Sequence, residues 1–195
     1  MQVIRKTGEE PFRDGGVLLN RTLLDFWRWS ASDLVGNALR GVLAEYIVAC
    51  ALDLPQAVRV EWDAFDLKTP NGLSIEVKSA AYLQSWDQKA LSKITFGIQP
   101  TRAWEAATND YTGHLRRQAD VYVFCLLHHQ DKATVEPLDM NQWTFFLLPA
   151  SVLDEKFPVQ KSIRLASLLR MNPLHVTYQE LADTIMRFDL QKRTG

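Results

Sequence analysis

The sequence predicts a mixed α/β domain in which a helix precedes a sheet. Three observations carry this: a helix-spaced apolar run over residues 33–52, a period-two hairpin over residues 58–78 directly after it, and the continuous apolar run Val121–Leu127, which reads as a strand buried on both faces. The 195 residues match the length of one domain, ~100–200. We therefore read residues 1–195 as a single domain, with residues 1–20 as an N-terminal arm and residues 130–195 as a C-terminal extension of the core.

The arm is polar and turn-rich, with Thr7-Gly8-Glu9-Glu10-Pro11 and the pair Gly15-Gly16. Phe26, Trp27 and Trp29 then read as core. Ser32 is a candidate N-cap with Asp33 in the first turn, and Leu34, Val35, Ala38, Leu39, Val42, Leu43, Tyr46, Ile47 and Cys50 follow at helical spacing, so a buried helix is predicted over residues 33–52. Gly41 in its interior costs ~1 kcal/mol relative to Ala, which suggests a close approach of helix to sheet. Val58-Arg59-Val60-Glu61-Trp62 alternates and continues through Phe65-Asp66-Leu67 to the turn Thr69-Pro70-Asn71-Gly72. Beyond the turn, Leu73, Ile75 and Val77 share one face of a strand and Ser74, Glu76 and Lys78 the other.

Residues 79–93 fit either a helix or a surface loop, residues 94–98 a third strand, and residues 103–118 a helix or loop excursion broken near Gly113. Trp143–Leu148 is a further strand, and helical patches follow at Val152–Phe157 and Ile163–Arg170. A last helix begins at Thr177, which forms a capping box with Glu180.

Composition narrows the function classes. The 22 Lys and Arg nearly cancel the 23 Asp and Glu, so the net charge of -1 excludes a global polycation, and any nucleic-acid contact must be local. Hydrophobic residues at 47% suffice for a core and rule out a disordered tail. Cys50 and Cys125, both in apolar stretches, read as buried thiols in a reducing compartment. The start has no apolar signal region and no run reaches the ~18 apolar residues of a membrane span, which predicts a soluble, cytoplasmic protein. There is no Cys-x-x-Cys or His-Glu-x-x-His zinc pattern, no Gly-x-Ser-x-Gly elbow and no phosphate-binding glycine loop.

The chemistry concentrates on the hairpin. If it closes through a three-residue Pro70-Asn71-Gly72 loop with Gly72 left-handed, Asp66 falls opposite Glu76, and Lys78 joins them on the same face. Hard cations such as Mg²⁺, with Mn²⁺ as a substitute, take one or two carboxylates plus waters and phosphate oxygens, and a lysine beside them can orient a water and balance charge on a scissile phosphate. Glu45, with Ala38, Gly41, Ala49 and Leu52 as small or apolar helical neighbours, should be half-buried with a cation nearby, whether a metal, Arg40 or Lys78.

Arg40-Gly41-x-x-x-Glu45, Phe65-Asp66 and Ile75-Glu76-Val77-Lys78 together resemble the motif series of the PD-(D/E)xK nuclease superfamily, which includes restriction enzymes and Holliday-junction resolvases. The match covers residues 40–80 and extends loosely to Leu127, and Phe65 stands where the name-giving proline would be. The resemblance implies a restriction-endonuclease-like mixed sheet flanked by helices. It further implies a metal site of Asp66, Glu76, Val77 and Glu45, with Lys78 assisting the attacking water. Gln84 resembles an accessory polar residue that some members place after the motif.

The expected activity is Mg²⁺-dependent hydrolysis of phosphodiester bonds in DNA, duplex or branched, with homodimerisation left open and no membrane partner. Lys89, Lys93, Arg102, Arg116 and Arg117 are candidate nucleic-acid contacts, with Tyr82 and Trp86 flanking a groove. Two other readings compete: a nuclease-derived module that binds without cutting, and a structural subunit whose hairpin charges simply face solvent.

Overall fold

The computed structural model describes residues 3–54, 58–59, 64–105 and 110–194. Along the chain run β1 (Pro11–Asp14), β2 (Val17–Thr22), α1 (Leu23–Ala31), α2 (Asn37–Ala51), β3 (Leu67–Lys68), β4 (Ser74–Ala81), β5 (Thr95–Gly97), β6 (Thr101–Glu105) and β7 (Asp110–Arg116). There follow β8 (Val121–Leu127), β9 (Trp143–Pro149), α3 (Ala150–Lys156), β10 (Ser162–Arg164), α4 (Leu165–Leu169), β11 (Leu174–Val176) and α5 (Tyr178–Thr194).

The central sheet has the order β11-β9-β8-β4-β3. It is mixed: β4 and β8 are parallel, and the other pairs are antiparallel. Two parallel neighbours need a long crossover, and residues 82–120, with β5 and the β6–β7 hairpin, provide it. On one face Ile75, Val77, Val123, Cys125 and Phe145 pack against Ala44, Ile47 and Val48 of α2 and Leu181 and Ile185 of α5. On the other, Tyr122, Phe124, Leu126 and Phe146 pack against Phe96 of β5, Leu153 of α3, Ile163 of β10 and Leu168 of α4. Cover on both faces is why β8 carries no charged residue and is buried throughout. Each large side chain so buried contributes about 1.5–3 kcal/mol.

The mixed α/β class, the helix before the hairpin and strands β4, β8 and β9 agree with the sequence reading. So does the cap of α5, where Glu180 Oε2 accepts from the Thr177 N–H at 2.8 Å and the Thr177 hydroxyl at 2.7 Å. Several expectations are corrected. α2 starts at Asn37 rather than residue 33, because Asp33 Oδ1 takes the Gly36 N–H at 3.1 Å in a turn while Ser32 closes α1. Where a helix or loop excursion is expected over residues 103–118, residues 103–105 end β6 and residues 110–116 form β7, with Gly113 inside a strand. The stretch before α4 is the short strand β10.

Phe26, Trp27 and Trp29 are not core: α1 has no buried residue, and Trp29 is 84% exposed. A Cβ on Gly41 would meet nothing within 4 Å, so close packing does not explain that glycine. Of the first hairpin strand only Leu67 and Lys68 pair with β4, and Val60–Trp62 lie outside the described residues.

Candidate active site

The turn between β3 and β4 sets the site. Gly72 adopts φ +94°, and its N–H donates to the Thr69 carbonyl at 2.9 Å, closing the three-residue loop. The register Leu67↔Ile75 and Lys68↔Ser74 ends there, and Asp66 bends back onto the edge of β4 beside Glu76. The Asp66 N–H donates to the Ile75 carbonyl at 3.1 Å, and Asp66 Oδ2 accepts the Val77 N–H at 2.7 Å. A carboxylate thus caps the edge of β4 where its strand partner ends. Glu76 and Lys78, two residues apart on the same face, form an ion pair at 2.5 Å.

Two carboxylates and one ammonium in a half-buried place perturb one another. Burial, then the Glu76 charge, push the Asp66 carboxyl up to about 6, against the pull of Lys78 and the Val77 N–H. Burial works against the Lys78 ammonium, but Glu76, Asp66 and Glu45 outweigh it and hold its pKa above the usual lysine value. On the neighbouring strand Tyr122 pairs with Glu76, and its hydroxyl is pushed up by burial and then by the Glu76 charge.

Glu45 reaches this cluster electrostatically but is engaged elsewhere. Arg59 grips both its oxygens, Nε on Oε2 and Nη2 on Oε1 at 2.9 Å, leaving the carboxylate 13% exposed. The expected cation beside Glu45 exists, but it is Arg59 and not Arg40. Arg40 is itself buried, donating to the Val35 carbonyl at 2.8 Å and to Asn37 Oδ1 at 2.6 Å. Among the described residues no three His, Cys, Asp or Glu side chains form a group that could hold a metal ion. Val77 buries its side chain among the apolar residues facing α2 and has only backbone atoms to offer.

Gln84 is buried beyond the end of β4, its Nε2 donating to the Ala81 carbonyl at 3.3 Å and to Ser92 Oγ at 3.1 Å. Lys89, Lys93, Arg102 and Arg116 are exposed, and Arg116 also bonds Gln118 at 3.1 Å. Arg117 is corrected: its side chain is 0% exposed, and it donates to the Ile98 carbonyl at 3.0 Å, Asp154 Oδ1 at 2.6 Å and the Phe157 carbonyl at 2.7 Å. It ties the crossover to α3 and presents nothing to a ligand. His128 is bonded to Thr144 and His129 to Thr134.

Sequence reasoning did not single out Arg59, Tyr122 or Asn37. An arginine fourteen residues from Glu45, beyond the end of α2, leaves no periodic signal. Tyr122 gave one, as the single hydroxyl in an otherwise apolar β8.

None of the curated proteins compared matches the chain. A family model does: residues 21–167 match bacteriophage T4 endonuclease IV, a span that contains α2, the β3–β4 hairpin and the paired strands β8 and β9. With well over half of its length matched, the chain belongs to the bacteriophage T4 endonuclease IV family.

Proposed function

We propose that the protein is a divalent-metal-dependent DNA endonuclease of the PD-(D/E)xK type, built on a restriction-endonuclease-like core, with Asp66, Glu76 and Lys78 as its reacting constellation. One observation carries the reading: the Asp66 carboxylate is held at the edge of β4 by the Val77 N–H at 2.7 Å, close enough to feel the Glu76 charge, and Lys78, on the same face of β4 as Glu76, is paired to it at 2.5 Å. The endonuclease family match supports the reaction class.

The donor set fits Mg²⁺. Two carboxylates against one ammonium leave the cluster net negative, and the crowding that raises the Asp66 pKa is what a cation would relieve. Two carboxylates are also the share of protein ligands that Mg²⁺ takes when waters and phosphate oxygens complete its shell. When bound there, the ion would supply positive charge to the scissile phosphate. The remaining work falls to side chains. Asp66, fixed by the Val77 N–H, and Glu76 would hold the ion. Lys78, kept protonated by its acidic neighbours, would position the attacking water and offset the charge that develops on the phosphate. Glu45, locked by Arg59, adds negative charge at the border of the site without giving up an oxygen.

The test is cleavage of plasmid, single-stranded and branched DNA. Cutting should require Mg²⁺ or Mn²⁺ and stop in EDTA. Asp66→Ala and Glu76→Ala should abolish it, and Lys78→Ala should slow it about 10²–10³-fold while DNA binding in Ca²⁺ persists. Cleavage that survives EDTA, or that is unchanged in Asp66→Ala and Glu76→Ala, refutes the proposal.

A further inference from the structure

A pocket of about 430 Å³ opens beside residues 79–81, which continue β4 directly after Lys78. Its size is that of a small-ligand site. Its lining includes Asn37 and Arg40 at the start of α2, and Gln84, Trp86, Ser92 and Lys93 from the loop after β4. Two of these carry polar atoms without a partner in an otherwise buried setting. Arg40 is 4% exposed and Gln84 6% exposed, yet Arg40 Nε and Gln84 Oε1 have no hydrogen-bond partner among the described residues. The remaining polar atoms of both side chains are bonded, which fixes each group in place.

One orphan is a donor and the other an acceptor, so the ligand that completes the pocket must offer an acceptor and a donor of its own. A phosphodiester has no donor to give Gln84 Oε1. The edge of a nucleobase has both. The charged side chains in the lining are Arg40 and Lys93, with no carboxylate among them, so the pocket also favours an anion. Trp86, 54% exposed at the rim, offers an aromatic face.

We propose that this pocket receives one nucleotide of the bound strand next to the scissile bond. Its base edge meets Arg40 Nε and Gln84 Oε1, its ring lies against Trp86, and its phosphate is drawn to Lys93. The inference rests on the nuclease reading for the placement of the strand. It adds that the enzyme reads a base taken out of its stack, at a cost the pocket repays.

The experiment measures kcat/KM on DNA substrates in which single positions around the mapped cut are made abasic, for wild type, Gln84→Leu and Trp86→Ala, with thermal unfolding as the check on folding. Trp86 is exposed, so Trp86→Ala keeps the test valid even if Gln84→Leu unfolds. One abasic position should lower wild-type kcat/KM about tenfold or more, the scale expected for losing a stacked, hydrogen-bonded base, and each folded variant should shrink that difference. Wild-type cleavage indifferent to abasic substitution at every position, or discrimination unchanged in the folded variants, overturns the pocket and leaves the nuclease standing. If wild type cuts nothing, the nuclease reading fails. Calorimetric titration with the four deoxynucleoside 5′-monophosphates then decides the pocket alone: binding weakened in the folded variants upholds it, and no binding overturns it.

Discussion

Arg117 separates a structural from a nucleic-acid role most sharply, because its sequence context and its place in the fold point in opposite directions. Its guanidinium is sealed off and serves three acceptors: the fully buried Ile98 carbonyl, the half-buried Phe157 carbonyl, and Asp154, whose side chain is 50% exposed. In Arg117→Ala the Ile98 carbonyl is stranded at about 1–3 kcal/mol. The Phe157 carbonyl is partly rescued by water, and Asp154 resolvates at little cost. Adding the lost packing of the stem, the expected destabilisation is about 2–4 kcal/mol, or roughly 4–16 °C in Tm for a chain of this size. Arg117→Lys keeps the charge but cannot fork to three acceptors, so it should recover only a small part of that loss. Urea and thermal unfolding by circular dichroism measure both variants, alongside DNA affinity of the folded protein. Unfolding within about 2 °C of wild type for Arg117→Ala, with weakened DNA binding rescued by Arg117→Lys, would refute the tether and restore the surface role.

Three further outcomes follow from the packing. Gly41→Ala, with open space at the new Cβ and helical backbone, should stabilise the protein by about 0.5–1 kcal/mol in urea unfolding. Asp189→Ala should cost about 1–3 kcal/mol in the same assay, because Asp189 Oδ2 accepts from Thr69 Oγ1 at 3.2 Å and Asn71 Nδ2 at 2.9 Å inside the hairpin turn. Lys192→Ala should cost less than about 1 kcal/mol at pH 7, since its pair with Asp120 is largely solvated. Burial would raise the Asp120 carboxyl, but Lys192 and Ser74 hold it below its ordinary value, so the folded state gains above the unfolded pKa of about 3.9. The difference between wild type and Lys192→Ala should therefore fade as the pH drops through about 4 and below, which a pH series of unfolding curves reads directly.

The parts of the fold legible in the sequence are those whose signal is local. Pro70-Asn71-Gly72 admits few loop geometries, and the one with Gly72 left-handed goes with the register Leu67↔Ile75 and Lys68↔Ser74, from which Asp66 reaches the Val77 N–H. The unbroken apolar run of β8 announces a strand covered on both faces, as it is. Thr177 and Glu180 mark the start of α5 through contacts three residues apart. The capping box of Thr22 and Asp25 is equally local, but its Asp replaces the more familiar Glu or Gln, so the start of α1 was not read. What the sequence hides is tertiary. Glu45 meets Arg59 fourteen residues on, and Arg117 reaches acceptors thirty-seven and forty residues away. The core role expected of Phe26, Trp27 and Trp29 failed because aromatic content says nothing about whether another element arrives to cover it.

The relation between the candidate site and the C-terminal helix gives the fold its functional logic. The family match ends at residue 167, before β11 and α5, yet the hairpin that carries Asp66 and Glu76 is held from there. Leu181 and Ile185 pack in the same apolar cluster as Ile75 and Val77, the inward-facing neighbours of Glu76 on β4. Asp189 fastens the turn from inside, and Lys192 reaches the Gly72 carbonyl at 3.2 Å from outside. A two-residue edge strand could not by itself hold Asp66 in place, because so short a pairing is marginal in water. Clamping the turn supplies what the short strand lacks, and Leu181 and Ile185 pack on the face of β4 opposite Glu76 and Lys78. The geometry of the two carboxylates therefore depends on a segment that contributes no residue to them.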